Sequence, residues 1–412
     1  MRARSSVTIP AAGVRAPSVA GEPMHAVRRR IALVGPGFHF LGGLSVYTCR
    51  LANALTEDHQ VSVLLLHKLL PTRLYPGGHR AGRDLTSLRY RPEVQQIGKL
   101  NWYWGAELLR AIGFLRRERP EMLVLQWWTA AALHSYVALA LAARRLGVPV
   151  VIEFHETQDP GEAEVPFMAA YCRRFIPRLL ALASGALVHN AHDLALLRET
   201  YGAAPIDRLA VEVVPHGPYD HLTPEGTTAP GADPGDGEVT RLLFFGLIRP
   251  YKGLEDLIRA FDALTPSQAE SFTLTVVGET WEGWDLPAEL IAASPHRDRI
   301  NFVNRYVSDT EASTFFARAD AIVLPYRRGS ASGPLQIAMS HGLHVVLYAV
   351  GGLVEAVKDY RGTVLVPPDD VDALQAAFVE VGGRRAERFE DPHSWSETTA
   401  ALVRVAQVLA QA

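Results

Sequence analysis

The chain has 412 residues, 48% of them hydrophobic and 21% charged, a composition that excludes collagen-like, coiled-coil and wholly disordered proteins. That length is more than one core covers, and at about 100 to 200 residues per domain it predicts two large domains. The formal charge of −3 conceals a split: through Asp220 there are 25 Lys plus Arg against 18 Asp plus Glu, a balance of +7, and the remainder holds 16 against 26, a balance of −10.

Residues 1–24 are rich in Ala, Pro, Gly, Ser and Arg and carry no apolar core of a signal peptide, so they are read as a disordered tail. From Arg28 onward short apolar runs alternate with amphipathic segments, the pattern of βα units in a parallel sheet. In the first half the runs Ile31–Val34, Val61–Leu66, Met122–Gln126, Pro149–Phe154, Ala186–Val188 and Val211–Val214 predict strands, with helices over Ser45–Leu55 and Ala130–Leu146. In the second half Leu242–Phe245, Phe272–Val277, Ile300–Val303, Ala321–Leu324, Val345–Leu347 and Thr363–Val366 predict strands. Helices are predicted there over Leu254–Leu264, Asp309–Ala319, Leu335–His341 and Val371–Val381, and a last one over Ser394–Leu409.

Between the halves Thr223–Glu238 is dominated by Pro and Gly and has almost nothing apolar, which makes it a linker. The expected organisation is a tail (1–24), a Rossmann-like domain (25–222), a linker (223–240), a second Rossmann-like domain (241–392) and a C-terminal helix (393–412) crossing back to the first. Two doubly wound parallel-sheet domains of this kind hold a ligand between them, outside the carboxyl ends of their strands. Cys49 and Cys172 lie far apart with no metal-ligand spacing, so both are read as small buried apolar residues. A reducing cytoplasm is the expected compartment, and no run reaches the roughly 18 apolar residues of a membrane span.

Three loops carry chemistry. Gly35 to Tyr47, containing the adjacent Gly42 and Gly43, leaves the first strand and enters a helix, where backbone amides at the positive helix end suit a phosphate. Taken alone this is equally a tight turn, and a dinucleotide fingerprint fails because Phe40 stands where the third glycine belongs. In Gly246-Leu-Ile-Arg249-Pro-Tyr-Lys252-Gly253, two cations three apart at a helix start can clamp a diphosphate from two directions. Lysine occurs only at 68, 99, 252 and 358, which makes its placement there informative. After the strand ending at Leu324, a small-residue loop runs through Ser332, Gly333, Pro334 and Leu335 into a helix and offers another anion nest.

Together with Val213-Val-Pro-His216-Gly217-Pro-Tyr-Asp220 and Gly351-Gly352-Leu-Val-Glu355, these loops resemble the retaining glycosyltransferases of family 4, which have the two-domain GT-B architecture. The resemblance spans residues 28 to 410 and implies transfer of a sugar from a nucleotide-diphosphate donor, with retention at the anomeric carbon and without an essential metal or cofactor. It implies that Arg249 and Lys252 neutralise the leaving diphosphate, and that Gly43 offers its amide to the distal phosphate. Arg305, Tyr306 and Val307 would lie against the base. His155, in Val151-Ile-Glu-Phe-His-Glu-Thr, looks like the family's active-site histidine, expected with Glu156 at the transferred sugar or the acceptor hydroxyl.

The third loop departs from the family, whose members carry two glutamates at positions held here by Gly329 and Ile337. Neither side chain accepts a hydrogen bond. Gln336 and Ser330 are the substitutes that sequence suggests, and a degenerate GT-B protein that binds a sugar nucleotide or a partner subunit without catalysis is the alternative reading. An NAD-dependent oxidoreductase is the weakest reading, since Val61–His67 lacks the acidic residue that would hold a ribose.

For the acceptor, Pro71–Arg119 holds Lys99 and nine arginines against four acidic residues, and includes Trp102, Tyr103 and Trp104. The stretch from Arg73 to Arg119 suits an anionic membrane face, so a glycan or lipid-linked acceptor at the inner face of the membrane is expected. Nucleic acid is not, because no recognisable binding module accompanies these charges.

Overall fold

The computed structural model describes residues 28–38, 43–68, 86–101, 105–157, 166–223, 239–280, 284–329 and 331–411. The expected tail, Gly42, most of the linker, Ser330, and residues 69–85 (Arg73 among them) and 102–104 of the basic segment lie outside the described residues.

The first half runs β1 (Arg30–Pro36), α1 (Gly43–Leu55), β2 (Gln60–Lys68), β3 (Gln95–Asn101), α2 (Ala106–Glu118), β4 (Met122–Trp127) and α3 (Leu133–Arg145). It continues with β5 (Val150–Phe154), α4 (Pro166–Leu182), β6 (Gly185–Val188), α5 (Ala191–Tyr201), α6 (Ala203–Asp207) and β7 (Ala210–Val213). Its sheet is parallel in the order β3-β2-β1-β4-β5-β6-β7. The central strands read as nearly continuous apolar runs because helices cover both faces. On one face Phe114, Tyr136, Leu139 and Leu179 of α2, α3 and α4 close a core. On the other Tyr47 and Leu51 of α1 pack with Trp395, Leu402 and Val405 from the C-terminal end of the chain. Each fully buried Leu or Phe contributes about 1.5–3 kcal/mol to folding.

The second half runs β8 (Thr240–Phe245), α7 (Leu254–Asp262), α8 (Pro266–Ala269), β9 (Phe272–Val277), α9 (Leu286–Ala293), β10 (Ile300–Val303) and α10 (Asp309–Arg318). Then come β11 (Ala321–Leu324), α11 (Gly333–Ser340), β12 (His344–Tyr348), α12 (Gly351–Ala356), β13 (Thr363–Val366), α13 (Val371–Gly382) and α14 (Trp395–Gln411). Its sheet, also parallel, has the order β10-β9-β8-β11-β12-β13. Both sheets therefore reverse their strand order at their first strand, between β1 and β4 and between β8 and β11. These are the crevices where doubly wound sheets take ligands.

All the strands expected from apolar runs form. β3 is the strand that sequence missed. It lies at the sheet edge, where Gln95-Gln-Ile-Gly-Lys-Leu-Asn101 needs no apolar run. α14 packs on the first half: the Trp395 indole Nε1 donates to the Pro218 carbonyl at 3.0 Å, and Arg404 pairs with Glu212 at 3.0 Å. No helix among the described residues is long and apolar enough to cross a membrane.

Candidate active site

The two crevices face each other across a cavity of about 250 Å³. Seven of the expected site residues line it, together with Gly246: Gly43 from the first half, and Lys252, Arg305, Tyr306, Val307, Gly333 and Pro334 from the second. Gly43 opens α1 at the cavity wall, where a Cβ would stand 2.9 Å from the Tyr219 hydroxyl. That hydroxyl donates to the Gly43 carbonyl at 2.8 Å, so Tyr219 fixes the glycine loop from the segment that leaves the first half. Ser45 Oγ secures the same turn by donating to the Gly37 carbonyl at 3.0 Å.

The Arg249–Lys252 loop is shaped by a single turn of 3-10 helix over Pro250–Lys252. Gly253 ends that turn in the left-handed region at φ +65°, and a Cβ there would overlap the Pro325 carbonyl. Arg327 braces the loop by donating to the Pro250 carbonyl at 3.2 Å and to Asp256 Oδ2 at 2.9 Å, which also neutralises the acidic first turn of α7. Lys252 is buried, with its ammonium 5.1 Å from the Tyr326 ring centroid. Burial, and then the nearby Arg249 guanidinium, push its pKa down to about 7. Among the described residues no carboxylate lies within ion-pair distance of Lys252. A buried ammonium beside a second cation, in a cavity wall rich in glycine amides, has the chemistry to receive an anion.

Ser332 caps α11 by accepting from the Leu335 amide at 3.4 Å and lies buried behind the cavity wall, leaving Gly333 at the helix start facing it. Leu335, expected at the donor, is instead fully buried in the second core, because helix periodicity turns its side chain away from the cavity. Gln336, offered by sequence as a substitute for the lost glutamates, is likewise turned inward and only 2% exposed. Ile337 does face the cavity, and Gly329 packs under Leu353. The carboxylates that reach the cavity are Glu279, after β9, and Asp309, at the start of α10. Sequence did not single them out, since neither belongs to a motif. Asp309 accepts a hydrogen bond from Thr86 Oγ1 across the cleft. Arg305 presents its side chain to Glu311 at 2.5 Å, which leaves its backbone and that of Tyr306 and Val307 toward the cavity.

His155 stands at the end of β5 outside this cavity, and its neighbours were not legible as a group. Its ring lies 4.5 Å from Tyr47, 4.8 Å from His189 and 6.0 Å from His216. Below it Glu153 is fully buried, accepting from the Tyr47 hydroxyl at 2.6 Å and from Gln126 Nε2 at 3.3 Å. Burial lifts the Glu153 carboxyl to about 7, against the lowering effect of those two hydrogen bonds. Burial and the other imidazoles depress His155 well below the usual histidine range, and burial brings His189 to about 4. Glu156, the next residue, is exposed.

A contact across the cleft completes the geometry. Glu355 of α12 accepts from the Ala191 and His192 amides at 2.6 and 2.8 Å, placing a carboxylate on the positive end of α5. Glu355→Ala is expected to remove about 1 kcal/mol and lower Tm by about 2–4 °C. An unchanged melting curve would show that the two halves meet without this contact.

Two facing doubly wound domains with a glycine-walled cleft between them form the GT-B architecture. A family model described as Glycosyl transferases group 1 matches residues 239–382, and one described as Glycosyl transferase 4-like domain matches residues 42–217. The chain is 27% identical over 367 residues to the 2-deoxystreptamine N-acetyl-D-glucosaminyltransferase of Streptomyces fradiae, covering 82% of each chain. It is 27% identical over 406 residues to the D-inositol 3-phosphate glycosyltransferase of Salinispora arenicola, covering 90% of this chain and 88% of that one. Among solved structures it resembles Anabaena Alr3699/HepE in complex with UDP and glucose, with a TM-score of 0.56 at 16% identity over 93% of this chain and 99% of that one. The chain belongs to the group 1, family 4-like glycosyltransferases, and it is a nucleotide-sugar-dependent transferase. Nothing in these comparisons supports the non-catalytic reading.

Proposed function

We propose that the protein transfers a sugar from a nucleoside-diphosphate sugar to an acceptor hydroxyl with retention, giving an α-linked product. The observation that carries this reading is the buried Lys252, which lines the cleft together with the Gly43 and Gly333 helix starts and lies near enough to Arg249 to feel its charge. Fixed cations and amides there stabilise the departing diphosphate, so the transfer step needs no metal ion. His155 and Glu156, at the end of β5, are the groups for the transferred sugar and the acceptor hydroxyl.

The acceptor is a glycan or lipid-linked molecule met at an anionic, cytoplasmic membrane face. Support comes from the outer side of the α2–α3–α4 layer. There Arg110, Arg116, Arg117, Arg144, Arg145, Arg173, Arg174 and Arg178 are all exposed, and the same three helices carry only Glu107 and Glu118 as acids. Leu109 and Phe167, at 71% and 78% exposure, stand near the helix starts, on the cleft side of the layer. An arginine-rich, acid-poor face with two protruding apolar side chains at one end matches a phospholipid surface. The test incubates EDTA-treated protein with UDP- and GDP-sugars, with and without anionic vesicles carrying a lipid-linked acceptor, and reads nucleotide release and the anomeric configuration of the product. Metal-free turnover to an α-linked product is expected; a β-linked product or an absolute metal requirement would overturn the reading.

A further inference from the structure

Glu153, His155 and His189 bring one carboxylate oxygen and two imidazole nitrogens within 4.8 Å of one another. No other group of three such residues is found among the described residues. The Nε2 atoms of both histidines are buried and have no hydrogen-bond partner, an arrangement that costs free energy in a dry interior. His189 Nδ1 lies 3.3 Å from the Val214 carbonyl, and a carbonyl only accepts, so Nδ1 carries the proton and Nε2 presents a lone pair. That lone pair stands 4.0 Å from Glu153 Oε1, and His155 Nε2 stands 3.9 Å from Glu153 Oε2. His189 Nε2 thus turns a lone pair toward a carboxylate oxygen, and His155 Nε2 stands beside the same carboxylate without a partner.

The surroundings match what metal ligands require one layer out. Both oxygens of Glu153 are held by donors, Tyr47 and Gln126, and the far nitrogen of His189 is tied to a backbone carbonyl. Tetrahedral ligation by nitrogen and oxygen at about 2.0–2.1 Å spaces ligand atoms roughly 3.4 Å apart, so the pairs at 3.9 and 4.0 Å need to close by about half an ångström and the widest of the three separations, within 4.8 Å, by up to about 1.4 Å. Two imidazoles and one carboxylate favour zinc and its neighbours over magnesium or calcium.

We propose that Glu153, His155 and His189 bind a divalent transition-metal ion of the zinc class, and that the bound ion occupies the His155 nitrogen facing Glu153 and so inhibits transfer. The inhibitory half rests on the reading of His155 given above; the binding half stands on geometry alone. It is compatible with metal-free transfer, since the donor diphosphate is met elsewhere, by Arg249 and Lys252.

The experiment titrates Co²⁺ into the EDTA-treated full chain and follows the visible ligand-field absorption, then displaces it with Zn²⁺. One equivalent of Co²⁺ should give the band of a low-symmetry nitrogen and oxygen site, Mg²⁺ should not compete, and His189→Gln and Glu153→Gln should each weaken binding at least tenfold. Tyr47→Phe, which keeps the ring and loses the hydrogen bond to Glu153, is expected to weaken it less and serves where the other variants fail to fold. Absence of the band in the wild-type protein, or a band that persists unweakened in folded variants, overturns the site. In the transfer assay Zn²⁺ should inhibit in proportion to occupancy and EDTA should restore activity. Stoichiometric binding without inhibition overturns the role of His155 as the switched group and leaves the donor reading intact, whereas an enzyme inactive even when metal-free refutes the proposed function instead.

Discussion

Substituting Arg249 and Lys252 together by Ala is expected to weaken nucleotide-sugar binding by at least about a hundredfold, and each alone by about tenfold or more, the loss of one or two hydrogen bonds to a charged group. Isothermal titration of a UDP- or GDP-sugar measures it, and near-native affinity in the double variant would remove the diphosphate clamp. The pH dependence follows from the depressed Lys252. With a pKa of about 7, free Lys252 is protonated below neutrality and largely neutral above it. A bound diphosphate favours the cation and raises that pKa, so between the free and the bound values binding takes up as much as one proton. Affinity therefore falls as pH rises above about 7, with a limiting slope of tenfold per unit. A nucleotide sugar is the right probe, because its doubly esterified diphosphate does not titrate near neutrality. Lys252→Arg keeps its charge throughout and should flatten the profile; an equally steep one would place the proton elsewhere.

The second large effect is at His155. Its replacement by Ala is expected to lower kcat by about a hundredfold or more while the donor Kd stays within about threefold, because the ring stands at the end of β5 and does not line the cavity that the donor loops form. Steady-state kinetics beside donor titration separates the two quantities. Retained turnover would show that acceptor and sugar are handled by other groups, and lost donor binding would show that His155 supports the cleft and does not act in it.

The fold was legible because its central strands are covered on both faces. β4 and β5 are buried at every position, so they stand out in sequence as apolar runs interrupted only by Gln126 and Glu153, whereas the polar edge strand β3 has no such requirement. The glycine loops were legible for a related reason: each marks a helix start or a left-handed turn, as at Gly43, Gly253 and Gly333. Leu335 was misplaced because adjacency in a motif ignores the 3.6-residue period that turns it into the core. The ring of Tyr47, His189 and His216 around His155 was illegible for the opposite reason. Its members come from α1, from the residue after β6 and from the crossing segment, and only the three-dimensional arrangement brings them to the end of β5.

The chain passes between the halves twice. Outbound, Val214 belongs to the core of the first half and Leu222 to that of the second. On the return, the Phe389 amide is still bonded to the Gly342 carbonyl of the second half, and Trp395 is back in the first core. The passages run side by side, since the Trp395 indole holds the Pro218 carbonyl, and Ser340 Oγ donates to Asp391 at 3.1 Å beside them. A body joined at one point swivels freely, but one joined by two neighbouring straps turns mainly about the line through them. The cleft is thereby restricted to opening and shutting like a book along that spine, with sliding and twisting suppressed.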